Sequence, residues 1–285
     1  MPWPDMPTPD TPSPENPTAA PRPRVVAVIT ARMGSDRLPG KVLMDLAGKP
    51  VTAHMVERLR HVEGIDGIWL GTSVSANNAP LVALARGLGI EVYQGSEEDV
   101  LERHVTIADR SGADHVVRVT ADCPLFDIGL ASRMVARHRA TNADFSYVPS
   151  VLSVGVLIEV ISRRALHLVH ERYQGELITV PIKEHPEEFH IEPFGVAQGL
   201  DPRLIRPEFR LTLDEPADYE LLQRIYGALY REGKPVDVIE SLAFLDAHPE
   251  IATINAHVRQ KTGNLYAEGL DARVLAARRA GRTAE

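Results

Sequence analysis

The chain has 285 residues, 44% of them hydrophobic and 25% charged, with a net charge of −8 and a pI of about 5.8. This composition is typical of a globular protein, and its acidic balance excludes a general nucleic-acid surface. The single cysteine, Cys123, excludes an intramolecular disulfide and a cysteine-based zinc site. No apolar run is long enough to cross a membrane. We therefore expect a cytoplasmic protein that binds a small anionic ligand at a local group of cations.

Composition divides the chain into one main domain and two tails. Residues 1–24 are rich in proline and lack the apolar segment of a signal peptide, so we predict a disordered tail there. Residues 25–261 are predicted to form the domain. Residues 262–285 are polar and rich in Ala and Arg, which predicts a frayed C-terminal tail.

The first half of the domain alternates strands with helices. Short β-branched runs predict strands, and apolar residues at helical spacing predict helices. The predicted strands are 25–29, 67–73, 90–93 and 115–120, and the predicted helices are 50–62, 79–88, 99–111 and 127–141. This order indicates an α/β fold with a largely parallel sheet flanked by helices.

The pattern changes after residue 143. Predicted strands at 145–149, 154–161 and 189–194 surround a predicted helix at 163–173. We expect some antiparallel pairing here and a smaller inserted lobe at about 150–195. A strand at 209–213 and helices at 216–232, 237–246 and 250–260 complete the predicted elements.

The loop after the first strand is a candidate phosphate site. Between residues 32 and 41 it carries three cations, a hydroxyl and two glycines, namely Arg32, Arg37, Lys41, Ser35, Gly34 and Gly40. Phosphates commonly bind at the carboxyl ends of strands in α/β proteins, where glycines let backbone N–H groups approach and cations neutralise the anion. A solvated basic loop is the alternative interpretation.

Two aspartates follow other predicted strands. Asp122 comes after strand 115–120 and Asp214 after strand 209–213, each just before a proline turn. Mg²⁺ takes few protein carboxylates and prefers phosphate oxygens and water, so two aspartates beside a triphosphate make a suitable site. Either aspartate alone is better explained as a turn former or helix cap. Together, at the edge that carries the basic loop, they favour a metal site.

Four blocks of this sequence, in order, resemble a known family. The blocks are 31–41, 95–103, 117–125 and 213–218, and the first reads Ala-Arg-Met-Gly-Ser-Asp-Arg-Leu-Pro-Gly-Lys. They are similar to the cytidylyltransferases that make CMP-activated acidic sugars, and in particular to the SpsF-like branch of spore coat polysaccharide synthesis. The similarity extends over about residues 25–261. It implies a Rossmann-like, GT-A-like nucleotidyltransferase fold.

The resemblance also implies roles for single residues. CTP is expected on the first loop, at Ala31, Arg32, Gly34, Ser35, Arg37 and Lys41. Thr72, Asp99 and Arg103 are expected near the cytidine, although Asp99 and Arg103 could also form a surface ion pair one helical turn apart. Asp122 and Asp214 are expected to hold Mg²⁺ and, with Arg32 and Lys41, to form the catalytic group. An acceptor oxygen would attack the α-phosphorus, and pyrophosphate would leave. Relatives are usually homodimers built through the lobe near 150–195.

Departures from the family fall mainly on the acceptor side. Val154 and Leu157 stand where the family often has aspartates, and Leu177 stands where it often has histidine. Ala121 replaces the usual glycine before the metal aspartate. The sequence therefore predicts intact nucleotide and metal sites with an altered acceptor pocket, suited to a related acid or phosphate.

The sequence is compatible with three functions. The first is an Mg²⁺-dependent transfer of CMP from CTP to an acidic acceptor. The second is a nucleotide-sugar glycosyltransferase, against which the arginine-rich loop argues, because a triphosphate needs those cations more than a diphosphate does. The third is a nucleotide-binding module that has lost catalysis, which the altered acceptor residues suggest.

Overall fold

The structure is a computed structural model, and it describes residues 22–149, 151–173, 175, 177–259 and 274. The predicted proline-rich tail lies outside the described residues up to residue 21. The predicted C-terminal tail lies outside them except at Val274. Within the described ranges, no helix combines the length and the apolar character that a bilayer crossing requires.

The secondary structure follows the predicted alternation. The strands are β1 (Val25–Thr30), β2 (Asp45–Leu46), β3 (Lys49–Pro50), β4 (Gly67–Ser73), β5 (Glu91–Gly95), β6 (His115–Thr120), β7 (Phe145–Tyr147), β8 (Glu159–Ser162) and β9 (Ile191–Pro193). The α-helices are α1 (Val51–Leu59), α2 (Ala79–Gly87), α3 (Val100–Ser111), α4 (Ile128–Thr141), α5 (Arg163–His170), α6 (Val180–Glu184), α7 (Pro216–Leu229), α8 (Val238–Ala247) and α9 (Pro249–Ala252).

A seven-stranded sheet in the order β5-β4-β1-β6-β8-β7-β9 forms the centre of the fold. The strands β5, β4, β1 and β6 are parallel neighbours. Strand β1 lies in the middle of this group and is buried over its first five residues, which explains its β-branched, uninterrupted apolar sequence. Because the four strands are parallel, the segments that follow them meet at one edge of the sheet.

The second half of the sheet contains the predicted antiparallel pairing. Strand β8 runs antiparallel to both β6 and β7, and β7 pairs parallel with β9. These strands continue the main sheet beyond β6. The predicted fold class, a mostly parallel sheet flanked by helices, is confirmed.

Three predicted elements differ most from the structure. The predicted strand 209–213 forms no ladder, because Leu211 donates to the Val154 carbonyl (2.8 Å) whereas Leu213 donates to the Asp122 carbonyl (2.7 Å). The segment bonds to one part of the chain at Leu211 and to another at Leu213, so it adds no strand to the sheet. The strand predicted over 154–161 begins only at Glu159, and the helix predicted over 250–260 ends at Ala252.

Apolar side chains cover both faces of the sheet. Successive residues of a strand point to opposite faces, so Val25 packs in a cluster with α1, α4, α7 and α8, and Val26 packs in a second cluster with α3 and α5. The helices leave the carboxyl edge of β5, β4, β1 and β6 to the loops, and these loops carry the predicted site residues.

Candidate active site

The loop between β1 and α1 is closed by its own backbone. Gly40 donates to the Met33 carbonyl (3.1 Å), and Lys41 donates to the Leu38 carbonyl (3.2 Å). Gly40 has φ of 71°, a left-handed conformation that favours glycine. The Ser35 hydroxyl accepts from the Leu38 amide (3.3 Å). The closure brings Lys41 back beside the carboxyl end of the sheet.

Asn78 ties this loop to β4, although no sequence pattern indicated it. Its side-chain oxygen accepts from the Met33 amide (2.8 Å). Its amide nitrogen donates to the carbonyl (3.1 Å) and to the hydroxyl (2.8 Å) of Ser73. Asn78 is 1% exposed, so these bonds are shielded from water. The anchor fixes the loop where it leaves β1.

Lys41 brings the two predicted metal aspartates together. Its ammonium donates to Asp122 Oδ2 (3.3 Å), to Asp214 Oδ1 (2.9 Å) and to the main-chain carbonyl of Leu213 (2.8 Å). Burial favours the neutral amine, but the two carboxylates outweigh it and raise the pKa of Lys41 above its ordinary value. Lys41 therefore stays charged at neutral pH.

Asp214 has three cationic neighbours. Asp214 Oδ1 lies 3.1 Å from Arg37 Nη2 and 2.9 Å from Lys41 Nζ. Asp214 Oδ2 lies 2.9 Å from Arg210 Nη2. Burial by itself raises the pKa of Asp214, but the hydrogen bond and charge of Lys41, with the charges of the two arginines, outweigh it and lower that pKa. Arg37 also contacts Glu215 (3.0 Å). The basic loop is thus directly paired with the acidic turn before α7.

A buried polar network supports Asp214 from behind. The Asp218 carboxylate is fully buried and accepts from Arg210 Nε (2.9 Å) and Asn255 Nδ2 (2.9 Å). It also accepts from the backbone amides of Asp214 (2.9 Å) and Glu215 (3.0 Å). This network fixes the turn that carries Asp214. Arg210 and Asn255 lie outside the fourth sequence block, and their local sequence did not predict the contacts.

The two aspartates are also joined through the backbone. The Asp122 carbonyl accepts from the Leu213 amide (2.7 Å) and from the Thr212 hydroxyl (3.0 Å). On the other side of this segment, Gly155 has φ of 98°, and a Cβ there would lie 2.6 Å from the Leu211 carbonyl carbon. Only glycine fits that close approach. The spacing of Asp122 and Asp214 therefore depends on backbone contacts as well as on charge.

The donor set of this cluster fits a hard divalent cation. Two carboxylates and one main-chain carbonyl converge on the single position of the Lys41 ammonium. Oxygen donors of this kind are preferred by Mg²⁺ and Mn²⁺. Burial raises the pKa of the neighbouring Cys123 thiol, which leaves it protonated and a poor metal ligand.

The other predicted nucleotide residues lie farther along the same edge. Thr72 lies in β4, the neighbour of β1, and is fully buried; its hydroxyl has no hydrogen-bond partner among the described residues. Asp99 caps α3 by accepting from the Glu102 amide (2.9 Å). Arg103 is 2% exposed, and its stem lies over Gly95, where a Cβ would be 2.9 Å from Arg103 Cγ.

Not all predicted residues meet in one cluster. Arg37, Lys41, Asp122 and Asp214 are in direct contact. Thr72 is the second-last residue of β4, and Asp99 and Arg103 follow β5, the next strand outward. Ala31 packs in the core and donates its amide to Gly71 (3.3 Å), while Arg32 is exposed and Gly34 has open space around its α-carbon.

The predicted acceptor side contains a polar pair between β6 and β8. Arg118 NH1 lies 2.6 Å from Glu159 Oε2, and the Thr179 hydroxyl donates to Glu159 Oε1 (3.2 Å). Leu177, at the position where histidine was expected, is 66% exposed. Leu157 is partly buried and packs against the core. The region therefore offers one ionic pair beside an exposed apolar side chain.

Comparison with known proteins identifies the family. A family model described as cytidylyltransferase matches residues 26–241. The chain belongs to the cytidylyltransferase family. This membership confirms the predicted family and the predicted enzyme class, a nucleotidyltransferase. Asn255 lies outside the matched range, although it supports the site from behind.

Individual relatives agree with this membership. The spore coat polysaccharide biosynthesis protein SpsF of Bacillus subtilis is 30% identical over 241 residues, which cover 80% of this cytidylyltransferase and 97% of SpsF. A cytidylyltransferase structure from Leptospira borgpetersenii has a TM-score of 0.72 at 24% identity and covers 81% of this chain and 97% of its own. CMP:2-keto-3-deoxy-manno-octonic acid synthetase, solved with CTP, has a TM-score of 0.56 at 18% identity, covering 72% and 98%. The two structures share the fold.

Proposed function

We propose that this cytidylyltransferase transfers CMP from CTP to an acidic sugar, or to a related acid or phosphate, with Mg²⁺ and with release of pyrophosphate. The observation that carries the proposal is the contact of Lys41 with Asp122 and Asp214 at the carboxyl edge of the sheet. The fold neighbour solved with CTP supports the choice of nucleotide. The name of SpsF supports a place in the synthesis of surface polysaccharide or glycoconjugate precursors. We propose that the reaction takes place in the cytoplasm.

The basic loop is suited to the triphosphate. Arg32, Arg37 and Lys41 supply three cations on one loop, whose shape is fixed by the Gly40–Met33 and Asn78–Met33 hydrogen bonds. Nucleotidyl transfer depends on positioning and on neutralising charge on the phosphates more than on covalent help from the protein. The loop backbone is thus fixed before the triphosphate binds, and its charged side chains supply the neutralisation.

The chemical step exchanges one P–O bond for another. The acceptor oxygen forms a bond to the α-phosphorus, and the bond from that phosphorus to the bridging oxygen breaks, so pyrophosphate leaves with the electron pair. Asp122 and Asp214 would hold Mg²⁺, which when bound neutralises phosphate charge. Lys41 and Arg37 stabilise the charge that develops on the departing pyrophosphate. No side chain is assigned as general base. An acceptor that attacks through a carboxylate or phosphate oxygen reacts as an anion, and one that attacks through a hydroxyl would release its proton to solvent.

The acceptor is proposed to bind beside β6 and β8. The Arg118 guanidinium offers a planar donor for a carboxylate or phosphate, and Glu159 with Thr179 orients it. The exposed Leu177 favours an acceptor with an apolar part at that position. We also propose a homodimer built through the segment near 150–195, because the exposed apolar side chains Val151 and Val196 flank it (38% and 55% exposed).

Pyrophosphate release tests the proposed function. The full chain is incubated with Mg²⁺, each of the four nucleoside triphosphates and a panel of sugar acids, other carboxylates and phosphates. We expect release with CTP and at least one acidic acceptor, and its loss when EDTA removes the metal. Hydrolysis of a nucleotide-sugar without CTP turnover would instead support a glycosyltransferase. Binding of CTP by calorimetry without turnover across the panel would support a binding module.

Replacing Asn78 should weaken CTP binding through the loop. Asn78→Ala removes the hydrogen bonds that join Met33 to Ser73, so the loop loses its anchor on β4. We expect KM for CTP to rise about tenfold while kcat changes less than about threefold, because mainly ground-state binding is lost. Asn77→Ala is the matched control, since Asn77 is the exposed neighbour. Equal KM values for the two variants would contradict an anchoring role.

A further inference from the structure

The phosphate-binding cations are already paired with carboxylates. Lys41 contacts Asp122 and Asp214, and Arg37 contacts Asp214 and Glu215. The side chains of Lys41 and Asp214 are only 13% and 12% exposed, so water screens their interaction weakly. The residues proposed for the triphosphate and those proposed for the metal thus neutralise each other.

The Lys41 ammonium stands where the donor geometry would place a metal ion. It has two carboxylate oxygens and one main-chain carbonyl within 3.3 Å. A divalent cation that used the same oxygens would lie within a few ångströms of the ammonium, and two cations that close in a partly buried site repel strongly. Metal binding at these oxygens therefore requires that Lys41 move away.

For the triphosphate, the carboxylates that hold the loop cations hinder binding. To bind phosphate oxygens, Lys41 and Arg37 must leave Asp122, Asp214 and Glu215. These carboxylates would then face the anion without the loop cations, although Asp214 keeps its contact with Arg210. Carboxylates that face phosphate without a cation between them are unfavourable. Each ligand thus removes the obstacle to the other: the triphosphate accepts the loop cations, and the metal ion takes their place on the aspartates.

We propose that Lys41 is a resident cation that occupies the Asp122–Asp214 site until the triphosphate draws it away, so that metal ion and nucleotide bind by exchange of ionic partners and each binds weakly alone. The proposal rests on the proposed function for the identity of the nucleotide. It makes two predictions of tighter binding, whereas a simple loss of contacts would weaken binding. Removing Lys41 strengthens metal binding without nucleotide, and removing the charge of Asp214 strengthens nucleotide binding without metal.

Arg210 makes the first prediction testable in a folded variant. It holds the second oxygen of Asp214 (2.9 Å) and is itself paired with Asp218 (2.9 Å). Asp214 therefore keeps its position when Lys41 is replaced. Lys41→Met preserves the length and the apolar stem of the side chain and removes the ammonium.

The first experiment measures Mn²⁺ binding to the nucleotide-free protein by electron paramagnetic resonance. We expect Lys41→Met to bind Mn²⁺ at least about tenfold more tightly than wild type, because a like charge has been removed from the site. Lys49→Met is the matched control, since Lys49 pairs with Glu57 (3.2 Å) away from the aspartates, and its affinity should equal that of wild type. Unchanged or weaker Mn²⁺ binding by Lys41→Met overturns the proposal.

The second experiment measures CTP binding by calorimetry in EDTA. We expect Asp214→Asn to bind metal-free CTP about tenfold more tightly than wild type, because Lys41 and Arg37 are released for the phosphates. Asp109→Asn, in an exposed pair with His167, should match wild type. Weaker binding by Asp214→Asn overturns the proposal. If no variant binds CTP, the proposed function fails, while the Mn²⁺ experiment still decides the role of Lys41.

Discussion

We expect the Asp122→Asn variant to lose about a thousandfold in kcat for CTP-dependent pyrophosphate release, while it unfolds at nearly the wild-type temperature. The Asp122 side chain is 29% exposed, and its ionic contact is with Lys41 (3.3 Å). The contacts that hold the neighbouring segment use its main-chain carbonyl, which the substitution leaves intact. The variant therefore removes a proposed metal ligand and leaves the backbone geometry of the site unchanged.

Steady-state kinetics and thermal unfolding of the same preparation check this expectation. Asp109→Asn is the control, because it removes a carboxylate of α3 that forms an exposed pair with His167 of α5. A variant of Asp122 that keeps more than about a tenth of the wild-type kcat would place the metal ligand elsewhere. A large drop in unfolding temperature would instead assign Asp122 a structural role.

The sequence predicted the site best where one strand leads directly into it. The apolar run of β1 and the cations and glycines after it are local features, and a parallel sheet brings neighbouring strand ends to one edge by its geometry. Arg37, Lys41 and Asp122 could therefore be predicted to lie together. Asp214 also lies beside Lys41, but strand geometry does not explain its position, since the strand predicted before it forms no ladder. Its role as a metal ligand stays a prediction.

The contacts behind the site could not be predicted because they join distant segments. Asn78 reaches the amide of Met33 from the start of α2, and Asn255 reaches Asp218 from a turn that the sequence predicted as helix. Such bonds depend on how the chain packs and leave no periodic trace in the sequence. Thr212 and Gly155 are similar cases, since the role of each depends on a contact with the backbone of another segment.

We expect Asp218→Ala to destabilise the protein by about 3–5 kcal/mol, which lowers the unfolding temperature by about 10 °C for a domain of this size. Asp218 is 0% exposed and pairs with Arg210, which is 9% exposed. Truncating the carboxylate removes one counter-charge from a buried guanidinium, which keeps its contact with Asp214. It also removes the acceptor to which the backbone amides of Asp214 and Glu215 donate their hydrogen bonds.

Thermal and denaturant unfolding measure this loss, with Asp246→Ala as the control. Asp246 also pairs with an arginine, Arg206, but its side chain is 53% exposed, so its removal should change the unfolding temperature little. In the double variant Arg210→Ala, Asp218→Ala, the second substitution should cost less than it does alone, because the buried charge is already gone. Strict additivity would contradict a shared network. If the network holds, loss of Asp218 should also reduce turnover below the melting temperature, because the turn that carries Asp214 is then no longer fixed.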